Sequence, residues 1–373
     1  MTDIYITGTG LFTPPEGVSN EELVAAYNQY ANEFNDSQAS AIESGEVAAM
    51  PLSSAEFIEK ASGIKHRYTM HKEGMLDTRR MRPSFPPCGE GDEPEAVTMG
   101  LAAARQALSA ANLQASDIDL LIVACTNHQR AYPSIAVEIQ HKLGCQGFAY
   151  DMGIACSSAT FGLISAFTAL KAGTATRALL VNPEFVTPQV DLTSRDSHFI
   201  FGDVATAMVL ETENLISDKP AFKILNTKQF TRFSDNIRCD GNYTDHCQTD
   251  LPAARPFFKQ EGRKVFKELL PLVTDFIESQ LADNQLEASQ LKRMWLHQAN
   301  INMNLFAVKK LLGRLPEGNE APIVLDQYAN TASSGSLIAF HLYHDDFQNG
   351  EKGLICSFGA GYSIGSLLVE KVD

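Results

Sequence analysis

A duplicated α/β fold, with layered sheets packed around buried helices, is the architecture this sequence predicts. Residues 113–123 are echoed by residues 286–296, with Leu113, Ala115 and Ser116 matched by Leu286, Ala288 and Ser289. Each copy reads as a helix end and turn leading into an apolar strand. A short loop follows, 126–133 in one copy and 297–300 in the other, and then a helix ending in Leu-Gly, at Leu143-Gly144 and Leu312-Gly313. A second echo pairs Phe201-Gly202-Asp203, running on to Glu211, with Phe358-Gly359-Ala360-Gly361, running on to Glu370. Both are glycine turns feeding hydrophobic strands. Finally, the helix expected over 160–170 is apolar on nearly every face, which places it inside a large core. Two β-α units with buried helices imply stacked layers. The N-terminal half is then 1–215 and the C-terminal half 216–373.

In chain order, residues 1–10 read as a strand and glycine turn rather than a secretory signal. The N-terminal half also carries extra material. Residues 35–54 are polar and alanine-rich, helical or loose. Residues 71–94 hold Arg79-Arg80-Met81-Arg82 and several prolines and glycines, the mark of a long irregular insertion. Such a loop is either a lid over a binding site or a solvated excursion. Regular structure restarts with a helix over 95–111.

Composition narrows the function. The chain has 373 residues, 44% hydrophobic and 20% charged, enough for a sizeable core. Its 45 acidic and 30 basic residues give a net charge of -15, which argues against nucleic acid as a partner. No apolar run is long enough to span a bilayer. The seven cysteines are odd in number and scattered, as expected of reduced cytoplasmic thiols rather than a disulfide framework. Cys239, His246 and Cys247 lack metal-ligand spacing, so no metal is expected. The sequon Asn242-Tyr243-Thr244 carries no weight in a cytoplasmic chain.

Three segments carry candidate chemistry. Cys156 stands just ahead of the all-apolar helix, where unpaired backbone N–H groups and the helix dipole favour thiolate and should lower the thiol pKa. The plain alternative is a small core residue. His297 ends an apolar strand, the usual position of active-site residues in α/β sheets. Asn330 lies in a turn of small residues before a helix over 337–344, where it could equally be an N-cap.

Taken together, Ala155-Cys156, His297-Gln298-Ala299-Asn300 and Tyr328-Ala329-Asn330-Thr331 resemble the Cys–His–Asn signature of β-ketoacyl-acyl carrier protein synthase III. Gly63-Ile64, Phe201-Gly202-Asp203 and Phe358-Gly359-Ala360-Gly361 are similar to its glycine steps. The resemblance implies a thiolase-like fold, layered α-β-α-β-α with two mixed sheets, and a homodimer. It implies an acyltransferase with no cofactor beyond its substrates. Cys156 would take an acyl group from acyl-CoA, and the acyl-enzyme would then condense with malonyl-acyl carrier protein, with loss of CO2. His297, as a neutral donor, and Asn330 would stabilise the enolate, and the backbone N–H groups of Cys156 and Ala360 would form the oxyanion hole. The family alternative is another thiolase-fold acyltransferase, or an enzyme that joins two acyl-CoA molecules head to head.

The resemblance also implies substrate contacts at Phe57, against the CoA adenine, at Asn300, and at Tyr132, which would cross the dimer interface to close the partner's acyl pocket. Two basic positions of the family are missing, with Ala61 and Asn302 in their place. Arg67, Lys292, Arg293, Lys309, Lys310 or the 79–82 arginines are the candidate replacements for docking an acidic carrier. The 71–94 insertion points to a primer longer than acetyl.

Overall fold

The computed structural model describes residues 2–86, 89, 91–216, 220–241 and 257–373. Cys88, the sequon at 242–244, His246 and Cys247 lie outside them. The first half of the chain supplies β1 (Ile4–Phe12), β2 (Glu16–Ser19), α1 (Asn20–Ser37), α2 (Ala39–Glu43), α3 (Ala55–Ser62), β3 (His66–Thr69) and α4 (Glu95–Ala110). It continues with β4 (Leu120–Ala124), α5 (Ile135–Leu143), β5 (Phe148–Met152), α6 (Ser158–Lys171), β6 (Arg177–Glu184) and β7 (Val204–Thr212). The second half supplies β8 (Ala221–Ser234), β9 (Ile237–Cys239), β10 (Phe258–Gln260), α7 (Gly262–Asp283), β11 (Arg293–Leu296) and α8 (Ile301–Leu312). It ends with α9 (Leu325–Tyr328), α10 (Gly335–Leu342), β12 (Lys352–Gly359) and β13 (Gly361–Val372).

Nine strands form one mixed sheet in the order β11-β12-β13-β8-β1-β7-β6-β4-β5. The two sheets expected from the resemblance are thus continuous, and the seam is short: β1 meets β8 only through Tyr5 opposite Lys223 and Ile6 opposite Phe222. Around the seam the sheets wrap α6 and α10. Ile164 and Leu163 of α6 and Ile338 and Phe340 of α10 share one core with Ile122, Met208, Phe222, Trp295 and Ile355. Outside this layer, α4 and α5 cover β4, β6 and β7, and α7 and α8 cover β11, β12 and β13. Five layers result. Gly10 allows the close fit of α4 on β1, because a Cβ there would sit 2.7 Å from the Ala107 backbone nitrogen.

The echoed segments occupy equivalent places. Single 3-10 turns at Ala115–Asp117 and Ala288–Gln290, each with a reciprocal capping pair, lead into β4 and β11. The helices that follow, α5 and α8, both stop at a left-handed glycine, Gly144 and Gly313.

The extra material is better ordered than its composition suggests. The first stretch is finished by α1 and α2, and Asn35 clamps the return by exchanging hydrogen bonds with the Met50 backbone. Within 71–94 the described residues form neither helix nor strand up to the start of α4, yet several of them are buried. Met75 and Met81 are buried against Val186, Val190 and Leu192, and the Phe85 ring meets the edge of Phe185 at 5.3 Å. Through these residues, 75–85 of the insertion buttress the 186–192 segment, whereas Gly89 and 91–93 are exposed.

Candidate active site

Cys156 is delivered by a 3-10 turn, Ala155–Ser157, that opens directly into α6. Ala155 adopts φ +47°, a conformation that costs a non-glycine residue about 1 kcal/mol or more. The second half repeats the device: Ala332, at φ +48°, starts the turn Ala332–Ser334 ahead of α10. The two turns pack against each other at the pseudo-symmetric centre of the molecule. Cys156 on one side therefore faces the turn that follows Asn330 on the other.

The nucleophile is tightly enclosed. A Cβ on Gly359 would lie 2.5 Å from the Cys156 Cβ and 2.8 Å from its sulfur, so β12 can pass the thiol only as glycine. The next residue, Ala360, donates its backbone N–H to the sulfur. Even so, burial pushes the Cys156 thiol up to about 11, and the charge of nearby Glu184 adds to the rise. This corrects the expectation of a lowered pKa: in a dry site, desolvation of the thiolate outweighs the helix N-terminus and the Ala360 hydrogen bond.

A cavity of about 380 Å³ opens at the thiol, lined by Cys156, Phe201, Ile237, Phe258, Ala332 and Ala360 among others. A neighbouring cavity of about 450 Å³ is lined by Phe57, Arg263, Phe266, Asn300 and Asn330. His297, just past β11, is 2% exposed; its backbone N–H donates to the Cys356 carbonyl at 2.9 Å and its ring stands edge-on to Phe358 at 5.4 Å. Burial lowers its imidazole from 6.5 to about 4, against the opposing pull of a hydrogen bond at the Ala332 backbone. The ring is therefore neutral at physiological pH, and its buried Nδ1 has no hydrogen-bond partner among the described residues.

Asn330 is pinned through its backbone N–H to the Ile200 carbonyl at 3.0 Å. Its Oδ1 accepts the Ala332 N–H at 2.9 Å, which leaves the Nδ2 donors for the cavity it lines. Ala332 is thus the joint of the site. It touches the His297 ring, orients Asn330 and lines the Cys156 cavity.

The remaining expected residues divide. Phe57 lines the second cavity, with the Arg195 guanidinium 3.7 Å above its ring, a cation–π contact. Asn300 lines it too, but both ends of its amide are engaged: Oδ1 caps α8 at the Asn302 N–H, and Nδ2 donates to the Ala61 carbonyl. It thus serves as the N-cap of α8, with one N–H and one Oδ1 lone pair left over. Tyr132 is 81% exposed and lines neither cavity.

Half of the expected replacement charges are engaged elsewhere. Arg67 is fully buried and donates to the Val18 and Ser19 carbonyls and to Asn20 Oδ1. Lys292 and Arg293 pair with Glu351 and Asp346, and Lys310 with Asp275. Lys309 and the 79, 80 and 82 arginines are exposed. The cations at the second cavity are Arg263, which lines it, and Arg195, which lies on Phe57. Sequence reasoning also missed Glu184, although a carboxylate at the end of an apolar strand is the signal that singled out His297.

The chain matches known proteins both in sequence and in fold. Residues 150–232 match the 3-oxoacyl-[acyl-carrier-protein] synthase III family, and residues 281–371 match its C-terminal region. A β-ketodecanoyl-[acyl-carrier-protein] synthase from Pseudomonas aeruginosa is 49% identical over 347 residues, covering 93% of this chain and 99% of that one. A β-ketoacyl-[acyl-carrier-protein] synthase III from Brucella anthropi is 31% identical over 289 residues, 75% of this chain and 85% of that one. In three dimensions, 3-oxoacyl-[acyl-carrier-protein] synthase III from Aquifex aeolicus superposes with a TM-score of 0.76 at 23% identity, covering 98% and 99% of the two chains.

Proposed function

The chain belongs to the 3-oxoacyl-[acyl-carrier-protein] synthase III family of acyltransferases, and we propose that Cys156, His297 and Asn330 perform its condensation on an acyl-CoA primer. The observation that carries this reading is the joint at Ala332, which ties the His297 ring and the Asn330 amide to the cavity of Cys156. The protein needs no cofactor for this chemistry and works in the cytoplasm.

The Cys156 sulfur attacks the primer's thioester carbonyl, the C–S bond to CoA breaks, and the thiol proton leaves with the CoA sulfur. Backbone N–H groups of Cys156 and Ala360 receive the oxyanion. Malonyl-acyl carrier protein then loses CO2. The electron pair left behind forms an enolate, whose oxygen takes hydrogen bonds from His297 and the Asn330 Nδ2. The enolate carbon attacks the acyl group, the Cys156 thiolate departs, and the 3-oxoacyl group remains on the carrier.

The relative from Pseudomonas aeruginosa is named for a ten-carbon β-keto product. Malonyl contributes two of those carbons, so an eight-carbon primer is the reading for this chain. The apolar walls of the Cys156 cavity, Phe201, Ile237 and Phe258, suit such a tail. The primer's CoA and the carrier's phosphopantetheine arm enter through the second cavity past Phe57 and Arg263. Two copies pair along β5, the sheet edge with Phe148 and Tyr150 exposed, where an open edge invites pairing, and Tyr132 closes the partner's pocket.

Intact-mass spectrometry after incubation with acyl-CoAs of short, medium and long chain tests this, with Cys156→Ala as control. An adduct on Cys156, strongest with octanoyl-CoA and discharged by malonyl-acyl carrier protein with release of CO2, is the expected result. An adduct that malonyl carrier does not discharge would favour head-to-head condensation, and no adduct would remove the nucleophile.

A further inference from the structure

The condensation leaves Glu184 unused. It ends β6, is fully buried, and forms no ion pair among the described residues. Its carboxylate is held by neutral donors from two loops. Thr126 gives its backbone N–H to both oxygens, at 3.2 and 3.1 Å, and its hydroxyl at 3.1 Å. Ser333 gives its N–H at 3.1 Å and its hydroxyl. Thr126 follows β4 and lines the Cys156 cavity, whereas Ser333 is the residue after Ala332 in the opposing turn. A buried carboxylate without a cation is costly to keep, so these donors are not incidental.

Its charge pushes two nearby thiols, Cys156 and Cys125, upward. Behind Cys125 stand His128, 3.4 Å from that sulfur, and Asp151, 3.6 Å from His128.

We propose that Glu184 is a positioning residue that ties the Thr126 loop to the Ser333 turn and, by its negative charge, restrains thiolate formation at Cys156 in the free enzyme. The inference rests on Cys156 as the nucleophile of the reaction. Burial holds the Glu184 carboxyl itself up to about 7, so it changes charge near neutrality while the thiol is still protonated. Two coupled groups titrating in this order leave a shoulder in any profile that reports thiolate.

The test is alkylation of Cys156 by iodoacetamide in the full-length protein, followed by peptide mapping from about pH 5 to about pH 10. For the unaltered protein, the logarithm of the rate should rise, flatten near neutrality and rise again. In Glu184→Gln the shoulder should vanish, with alkylation about three- to tenfold faster at alkaline pH. Condensation by the same variant should be slower, because an amide offers one acceptor oxygen where the carboxylate offers two. A folded Glu184→Gln variant whose alkylation profile superposes on the original overturns the proposal. If that variant does not fold, Ser333→Ala strips one donor from the carboxylate and should move the shoulder to higher pH; an unmoved shoulder is equally fatal. A shoulder seen in a protein that never accepts an acyl group would support the Glu184 assignment and sink the condensation chemistry instead.

Discussion

Gly359→Ala offers the sharpest test of how the nucleophile is held. The added Cβ would lie 2.5 Å from the Cys156 Cβ, whereas carbon atoms rest at about 3.5–4.0 Å. Strand and turn must therefore separate by roughly 1 Å. Neither side gives way easily, since Gly359 is paired with Ser363 in the sheet and Cys156 is seated at the head of a buried helix. Overpacking of this kind costs about 1–3 kcal/mol of stability. The larger effect falls on chemistry. Ala360 moves with its neighbour, and a hydrogen bond to sulfur lengthened by roughly 1 Å no longer functions as one. Loss of one oxyanion donor slows acyl transfer by about 10²–10³-fold, or roughly 2.7–4 kcal/mol. Gly353→Ala is the control, because its Cβ would press on Trp295 at 2.7 Å from Cη2, in the core and away from the thiol. Thermal unfolding should show comparable losses for the two variants, while rapid-quench acyl loading should collapse only in Gly359→Ala. Loading within about threefold of the unaltered protein in Gly359→Ala would refute the assignment of Ala360 to the oxyanion hole.

Four further outcomes are expected. Asn330→Ala should still accept an acyl group on Cys156 but slow decarboxylative condensation by about 10²-fold or more, read as persistent acyl-enzyme by mass spectrometry after malonyl carrier is added. Arg67→Met should cost about 3 kcal/mol in denaturant unfolding, because the Val18 and Ser19 carbonyls and Asn20 Oδ1 lose their shared donor. Burial lowers His198 and His297 from 6.5 to about 4. The unfolded chain therefore binds more protons in that window, and stability falls as pH drops through it, by about 1.4 kcal/mol per pH unit for each ring. Glu184, raised from 4.5 to about 7, acts with the opposite sign between those values, so Glu184→Gln should steepen the acid loss measured by urea unfolding across that range.

Much of this molecule is legible in its sequence because the relevant interactions are local. The apolar run and glycine stop of each echoed unit sit within a few dozen residues, and they fix β4 with α5 and β11 with α8. The all-round apolar face of α6 announces its burial. Cys156, His297 and Asn330 are likewise visible as residue types at strand ends and turns.

Tertiary structure decided what depends on distant parts of the chain meeting. The direction of the Cys156 thiol shift follows from burial, which no local motif encodes, and so the helix N-terminus lost to desolvation. The amide of Asn300 is tied to Ala61, 239 residues away, and the guanidinium of Arg293 is paired with Asp346, 53 residues away, contacts that no local motif encodes. Glu184 meets Ser333 across 149 residues. Sequence sets which groups each segment carries; packing sets which of them are dry, which are already bonded, and hence which remain free to react.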